Sequence, residues 1–193
     1  MKRYVVTVAC ALLTAAVAHA ATYKIDADHS SVGFRIHHLV GKVSGRFDKF
    51  EGTFDYDKAD PKSWKAQATI DASSVDTANA KRDEHLKSPD FFDTKKFPTL
   101  TFASTGITDI QGTKAKLHGN LTLHGVTKPV VLDLEILGDA KDPWGKQRAS
   151  FEATGTLNRK DYGMVWNKTL EAGGLMLGED VELTLDIEGI QQK

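Results

Sequence analysis

Residues 117–136 read LHGNLTLHGVTKPVVLDLEI. Leu117, Gly119, Leu121 and Leu123 take every second place, and His118, Asn120, Thr122 and His124 fill the places between. Val130, Leu132, Leu134 and Ile136 resume the alternation after His124-Gly125-Val126-Thr127. A period of two puts the apolar set on one face of a strand and the polar set on the other. Two such runs joined by a short glycine-containing segment make an antiparallel hairpin with a tight turn.

The same period extends in both directions. Toward the N-terminus, Val32, Phe34 and Ile36 alternate with Arg35 and His37, and Val43, Gly45 and Phe47 with Ser44, Arg46 and Asp48. The phase then slips by one, and Phe50, Gly52, Phe54 and Tyr56 carry the apolar face onward. Such a slip predicts a β-bulge and a bent strand. Trp64, Ala66, Ala68, Ile70 and Ala72 form a further run, and Leu100 and Phe102 begin another after Pro98. Toward the C-terminus, Phe151, Ala153, Gly155 and Leu157 make one strand face, and Val181, Leu183, Leu185 and Ile187 the last. The chain is therefore all-β, with about eight strands whose mostly short connections make sequential neighbours antiparallel.

Strands that are polar on one face must hide the other. Closing the sheet into an up-and-down barrel does this and leaves no exposed edge. The inward face is apolar but holds many small residues: Gly45, Gly52, Ala66, Ala68, Ala72, Gly119, Ala153 and Gly155. A barrel of about eight strands is either filled by its own side chains or wide enough for one small ligand. Small inward residues favour the ligand, although glycines also relieve strain at barrel corners. Two segments break the alternation. Residues 79–87 predict a short polar helix with Asn79 as its cap, followed by a loop at 88–98. Residues 160–178 form a long glycine-broken loop, of a length that is usually functional in a compact domain.

Lys2 and Arg3, the apolar run from Tyr4 to Val17, and Ala18-His19-Ala20 have the layout of a cleavable secretory signal. Residues 1–20 are expected to be removed and 21–193 to form one exported domain, placed in the periplasm. Too little apolar sequence precedes Cys10, the lone cysteine, for a lipoprotein signal, so the mature domain needs no disulfide. Two of the 25 basic residues and none of the 26 acidic ones lie in the signal. The remainder is mildly acidic and offers no broad basic field to nucleic acid.

Several short stretches, taken together, resemble a known family. They are Asp26-Ala27-Asp28-His29-Ser30-Ser31-Val32-Gly33-Phe34, then Gly45-Arg46-Phe47 and Phe50-Glu51-Gly52, then Arg82-Asp83-Glu84-His85-Leu86-Lys87-Ser88 running on to Asp90-Phe91-Phe92-Asp93, Phe97-Pro98 and Phe102. Gly119 to Val130 and Asn158-Arg159-Lys160-Asp161-Tyr162-Gly163-Met164 complete the series. In order and spacing these resemble the YceI-like family, bacterial polyisoprenoid-binding periplasmic proteins, over essentially all of residues 22–190. The resemblance implies an extended lipocalin-like barrel holding a long isoprenoid chain, as a polyprenyl phosphate or the tail of a quinone. It implies a carrier, store or sink for that lipid, with no cofactor required beyond the bound isoprenoid or quinone. The alternatives are a quinone-linked redox accessory or enzyme, and a stress-induced structural protein with a filled core. Transient membrane contact and a homodimer are both compatible with it.

The candidate residues follow from the inward faces. Phe34, Ile36, Phe47, Phe54, Ala66, Ala68, Ile70, Phe102, Leu121, Leu123, Phe151, Ala153 and Leu183 are expected to contact the chain inside the barrel. Arg82, His85, Phe91, Phe92, Arg159, Tyr162, Met164 and Trp166 are expected at the mouth. Arg82 and His85 lie one helical turn apart on a shared face, where they either form surface ion pairs or cap the mouth. Arg159 and Asp161 either form a structural ion pair with the helix region or meet a ligand headgroup, for which a guanidinium suits phosphate. The loop aromatics and methionines form either a satellite hydrophobic cluster or a lipid contact. His29, His37, His38, His85, His118 and His124 have no compact metal-ligand spacing. Ser30, Ser31 and Ser88 lack nucleophile-elbow glycines. Neither a metal site nor an enzyme is expected.

Overall fold

The computed structural model describes residues 20–193 apart from Ala172. The predicted signal segment lies, but for Ala20, outside the described residues. The strands are β1 (Ala21–Ile25), β2 (Ser31–His38), β3 (Gly41–Phe47), β4 (Phe50–Tyr56), β5 (Lys65–Asp71), β6 (Val75–Asp76), β7 (Thr99–Gln111), β8 (Lys114–Leu123), β9 (Val126–Lys141), β10 (Gln147–Asn158) and β11 (Leu177–Gln191), with one helix, α1 (Ala80–Lys87).

All of them belong to one antiparallel sheet that closes on itself. β11 pairs on one side with β10 and on the other with β1 and β2, as in Tyr23↔Gln191 and Phe34↔Leu183. The ring has eight staves because three of them are each written as two strands: β1 with β2, β3 with β4, and β5 with β6. The breaks have local causes. A 3-10 turn at Ala27–His29 parts the first stave, and another at Ala72–Ser74 parts the third. The predicted phase slip at Asp48 and Lys49 parts the second. The second and third breaks lie side by side, with Asp48 N donating to the Ser74 carbonyl and Asp71 N to that of Lys49. The wall thus bends at one place across two staves, as bulges commonly make it do.

Alternation fixes which face is inside. In β8, Ala115, Leu117, Gly119, Leu121 and Leu123 are buried, while Lys116 outside pairs with Asp133 across to β9 at 2.7 Å. The β8–β9 turn is His124-Gly125, with φ of 52° and 75°. Two left-handed residues in succession match the twist of the flanking strands. Gly125 is also covered by the Phe97 ring, 2.4 Å from where a Cβ would lie.

An up-and-down course puts every second connection at the same end. The turn at Leu39-Val40, α1 with the loop to Pro98, the His124-Gly125 turn and the loop between β10 and β11 therefore surround one mouth. Asn79 caps α1 by accepting from Arg82 N at 3.1 Å. The long loop is pinned: Asn167 Nδ2 donates to the Leu177 carbonyl, and Leu177 N to Asn167 Oδ1. At the far end Tyr23, Phe54, Tyr56, Trp64 and Phe151 interlock with ring centroids 4.9–6.2 Å apart. That aromatic plug fills the far end, while a second cluster around Phe47, Ile70, Leu100, Leu157 and Met164 packs toward the mouth. No helix among the described residues is long and apolar enough to cross a membrane.

Candidate functional site

Above the plug lies a cavity of about 480 Å³. Volumes of a few hundred Å³ are typical of small-molecule sites. Inward-facing residues of the wall, among them Phe34, Ile36, Ala66, Ala68, Phe102 and Leu183, are only half-buried, since each keeps surface open to this space. A barrel filled by its own side chains would leave them closed.

Eleven of the expected interior residues line the cavity: Phe34, Ile36, Phe47, Ala66, Ala68, Ile70, Phe102, Leu121, Leu123, Ala153 and Leu183. Phe54 and Phe151 do not. Both face inward as their period requires, but they sit at plug height, where Phe151 meets Phe54 edge-on at 5.1 Å. Parity gives the face of a strand and not the depth along the barrel. The inward glycines also act differently from the expectation that they open space. A Cβ on Gly45 would stand 2.4 Å from the Phe34 ring and one on Gly119 2.3 Å from the Phe102 ring. These glycines make room for rings that themselves line the cavity, and the half-buried Ala66 and Ala68 keep it open.

At the mouth, Arg82, His85, Phe91, Phe92, Arg159, Met164 and Trp166 line the cavity, whereas Tyr162 does not. Tyr162 is 2% exposed and packed beneath the loop, with its carbonyl 2.9 Å from His124 Nδ1. Burial raises its phenol above the ordinary value, with Asp161 adding to the effect. Arg82 and His85 each hold a different partner. Arg82 donates from Nε to the Thr77 hydroxyl and from Nη2 to the Thr77 carbonyl, both at 2.7 Å. His85 Nε2 lies 2.8 Å from Asp90, and its ring meets Phe91 and Trp166 edge-on. Asp83 accepts from Thr77 N and Oγ1, which fixes the approach to the helix.

Among the described residues no ion pair joins Arg159 or Asp161 to the helix region. Lys160 pairs with Glu179 instead. Arg159 is 2% exposed and donates from Nε to the Gly178 carbonyl at 2.8 Å and from Nη1 to that of Met164 at 2.5 Å. Burial draws its guanidinium below the ordinary arginine value, partly countered by Glu179.

The cavity also includes residues outside the expected set. Leu117, Leu132, Leu134, Leu185 and Ile187 lie on inward faces already legible from the alternation, and His38 shares the parity of Ile36. Thr77 and Lys81 had no strand-periodic signal, because Thr77 belongs to the connection into α1 and Lys81 to α1 itself. Elsewhere, Asp26, His29 and Glu188 stand at metal-ligand spacing. Arg148 already supplies the cation there, donating to Asp26 at 2.8 Å and to Glu188 at 2.5 Å. The three serines have partners other than a base poised for catalysis. Ser30 donates to the Glu188 carbonyl, Ser88 to that of His85, and Ser31 to the exposed Asp186.

The YceI-like domain model matches residues 23–189. The chain belongs to the YceI-like family. Protein YceI from Salmonella arizonae and from Salmonella newport are each 44% identical to it over 190 residues, covering 97% of this chain and 96% of theirs. The Campylobacter jejuni YCEI protein superimposes with a TM-score of 0.71 at 34% identity, over 81% of this YceI-like chain and 90% of its own. Burkholderia cenocepacia BcnA shares the fold with a TM-score of 0.76 at 21% identity, over 85% and 98% of the two chains. A polyisoprenoid binding domain from Saccharophagus degradans shares it with a TM-score of 0.64 at 17% identity, over 90% and 100%.

Proposed function

We propose that this YceI-like protein is an exported, periplasmic lipid-binding protein that holds a long isoprenoid chain in its barrel as carrier, store or sink. The observation that carries this reading is the cavity itself. It is walled almost wholly by aliphatic and aromatic side chains, blocked at the far end by the aromatic plug, and reached from the mouth. An apolar chain gains about 0.8 kcal/mol for each buried CH₂, so such a wall binds by area and needs no contact along the tail. Family membership and the polyisoprenoid binding of the Saccharophagus domain support the choice of chain. Catalysis is not part of the proposal, because Arg82, His85 and Arg159 are each oriented by partners within the fold.

Transient membrane contact is part of it. Val40 is fully exposed at the tip of the β2–β3 turn with Leu39 exposed next to it, and Val165 and Leu175 are exposed on the loop between β10 and β11. Leu39 N donates to the carbonyl of the cavity residue Met176, so the apolar wall continues outward to this rim.

Protein from a periplasmic extract should begin at Ala21, and its organic extract should contain an isoprenoid by mass spectrometry. An intact Met1 would remove the export reading. Protein that neither carries an isoprenoid nor takes one up after delipidation would remove the lipid reading.

A further inference from the structure

The ionisable residues that line the cavity are His38, Lys81, Arg82, His85 and Arg159, and no aspartate or glutamate is among them. All five lie in the connections and strand ends that form the mouth. The protein is acidic overall, so this one-sided set is not a reflection of its composition. Within it Arg159 is distinct. Its side chain is buried, its Nε and Nη1 are held by backbone carbonyls, and no acceptor among the described residues reaches Nη2. The nearest acid that affects it, Glu179, is taken by Lys160. Carbonyls orient a guanidinium but do not balance its charge. A buried cation with an unused donor, in a residue that lines an apolar cavity, is costly unless an acceptor, best an anionic one, reaches it.

We propose that Arg159 receives an anionic headgroup, a phosphate or a carboxylate, on the lipid whose tail fills the barrel. The inference rests on the lipid-binding reading above and narrows it. The Gly178 and Met164 carbonyls hold the guanidinium in one orientation, so pairing Nη2 costs little further rotamer freedom. Arg82 is fixed by Thr77 on the other side of the mouth and adds positive potential, with Lys81 and His85 on the same helix and His38 at the end of β2. A neutral head, such as an alcohol or a quinone carbonyl, can accept the Nη2 hydrogen bond but leaves the charge unbalanced. Charge-assisted hydrogen bonds are the stronger class.

The test uses delipidated full-length mature protein and three probes with one tail: geranylgeranyl monophosphate, geranylgeranoic acid and geranylgeraniol. Each competes with a fluorescent polyprenol. The phosphate and the acid are expected to bind at least about tenfold more tightly than the alcohol. The phosphate-to-acid ratio then says which anionic head the mouth prefers. Arg159→Gln is expected to abolish the preference, and Arg159→Lys to restore part of it. Arg159 also supports the loop, so Arg82→Gln, which leaves both of its carbonyl bonds intact, serves as a second variant that should reduce the preference only in part. Equal binding of all three probes to the wild-type protein overturns the headgroup assignment and leaves the tail reading intact. A preference that survives unchanged in a folded Arg159→Gln protein also overturns it. If no probe binds, the lipid reading itself fails, and this inference with it.

Discussion

Ala68 and Ala153 show how one residue type serves different ends at different places in the wall. Both line the cavity, but Ala68 is half-exposed to it, whereas Ala153 is 4% exposed and closely packed. Ala68→Phe should therefore place its ring in open volume. Its stability should change by about 1 kcal/mol or less, and isoprenoid retention should drop sharply. Ala153→Phe should instead overpack and cost about 1–3 kcal/mol. Melting and lipid content measured on the same preparations check this, and equal retention by wild type and Ala68→Phe would remove the cavity from the binding argument. Phe151 marks the opposite case. Its ring touches those of Phe54, Tyr56 and Trp64 at 5.1–5.9 Å. Phe151→Ala should cost about 3–5 kcal/mol in urea unfolding, the usual range for an aromatic truncated in a packed core. Because the residue lies below the cavity, headgroup preference should be unchanged in protein that still folds.

At the scale of elements, the strands supply the wall and the connections supply the chemistry. The β2–β3 turn is the simplest example. Leu39 adopts φ of 52° and Val40 projects wholly into solvent, an arrangement with no packing gain within the barrel. If the rim enters a membrane surface, burying Val40 there contributes on the order of 1.5–3 kcal/mol. Val40→Asp should then slow pickup of a fluorescent polyprenol from phosphatidylethanolamine–phosphatidylglycerol vesicles by roughly tenfold. Affinity for the same probe in detergent-free solution should not change. Unaltered transfer kinetics would leave the turn without a membrane role. The helix connection and the β10–β11 loop are more rigid than their length suggests, since Asn79, Asp83, Asn167 and Arg159 each satisfy backbone groups within them. Long connections usually move; these are built to hold a mouth in shape.

For the whole molecule, closure depends on the seam where β11 meets β1 and β2, and one arginine ties it. Arg148 of β10 donates to Asp26, which follows β1, to Asp142 in the β9–β10 turn, and to Glu188 of β11. The hydrogen bond from Arg148 holds Asp26 below the ordinary aspartate range, against some desolvation. At Asp142 desolvation pushes upward, but hydrogen bonds from Arg148 and from the Lys146 and Trp144 amides outweigh it and leave the group lowered. A carboxylate whose folded pKa is depressed contributes stability that is full above its unfolded pKa and is lost as pH falls through the folded one. Stability should therefore hold from neutrality down to about pH 4, the ordinary aspartate value, and decline below it. In Arg148→Met the three carboxylates repel one another, so the variant should be less stable at neutral pH and should gain stability on mild acidification. Urea midpoints measured across that range give the sign, and parallel curves for the two proteins would sink the seam assignment.

Period-two alternation was enough to determine the class of fold, the inward face of each strand and the hairpin at His124-Gly125, because side-chain direction in a strand is a local property. The phase slip before Phe50 announced the bend for the same reason, and Asn79 announced the helix start because a cap is satisfied within one turn. Depth is not local. Phe54 and Phe102 have the same parity and chemistry, yet one belongs to the plug and the other to the cavity, since their heights depend on the register of closure around all eight staves. Only the tertiary structure could show that Gly45 and Gly119 seat aromatic rings. It alone revealed that Arg159 bonds carbonyls across a loop and not the helix region, and that the mouth gathers cations from connections far apart in the chain. The sequence determines which side chains point inward; closure of the barrel determines which of them meet and which remain open to a ligand.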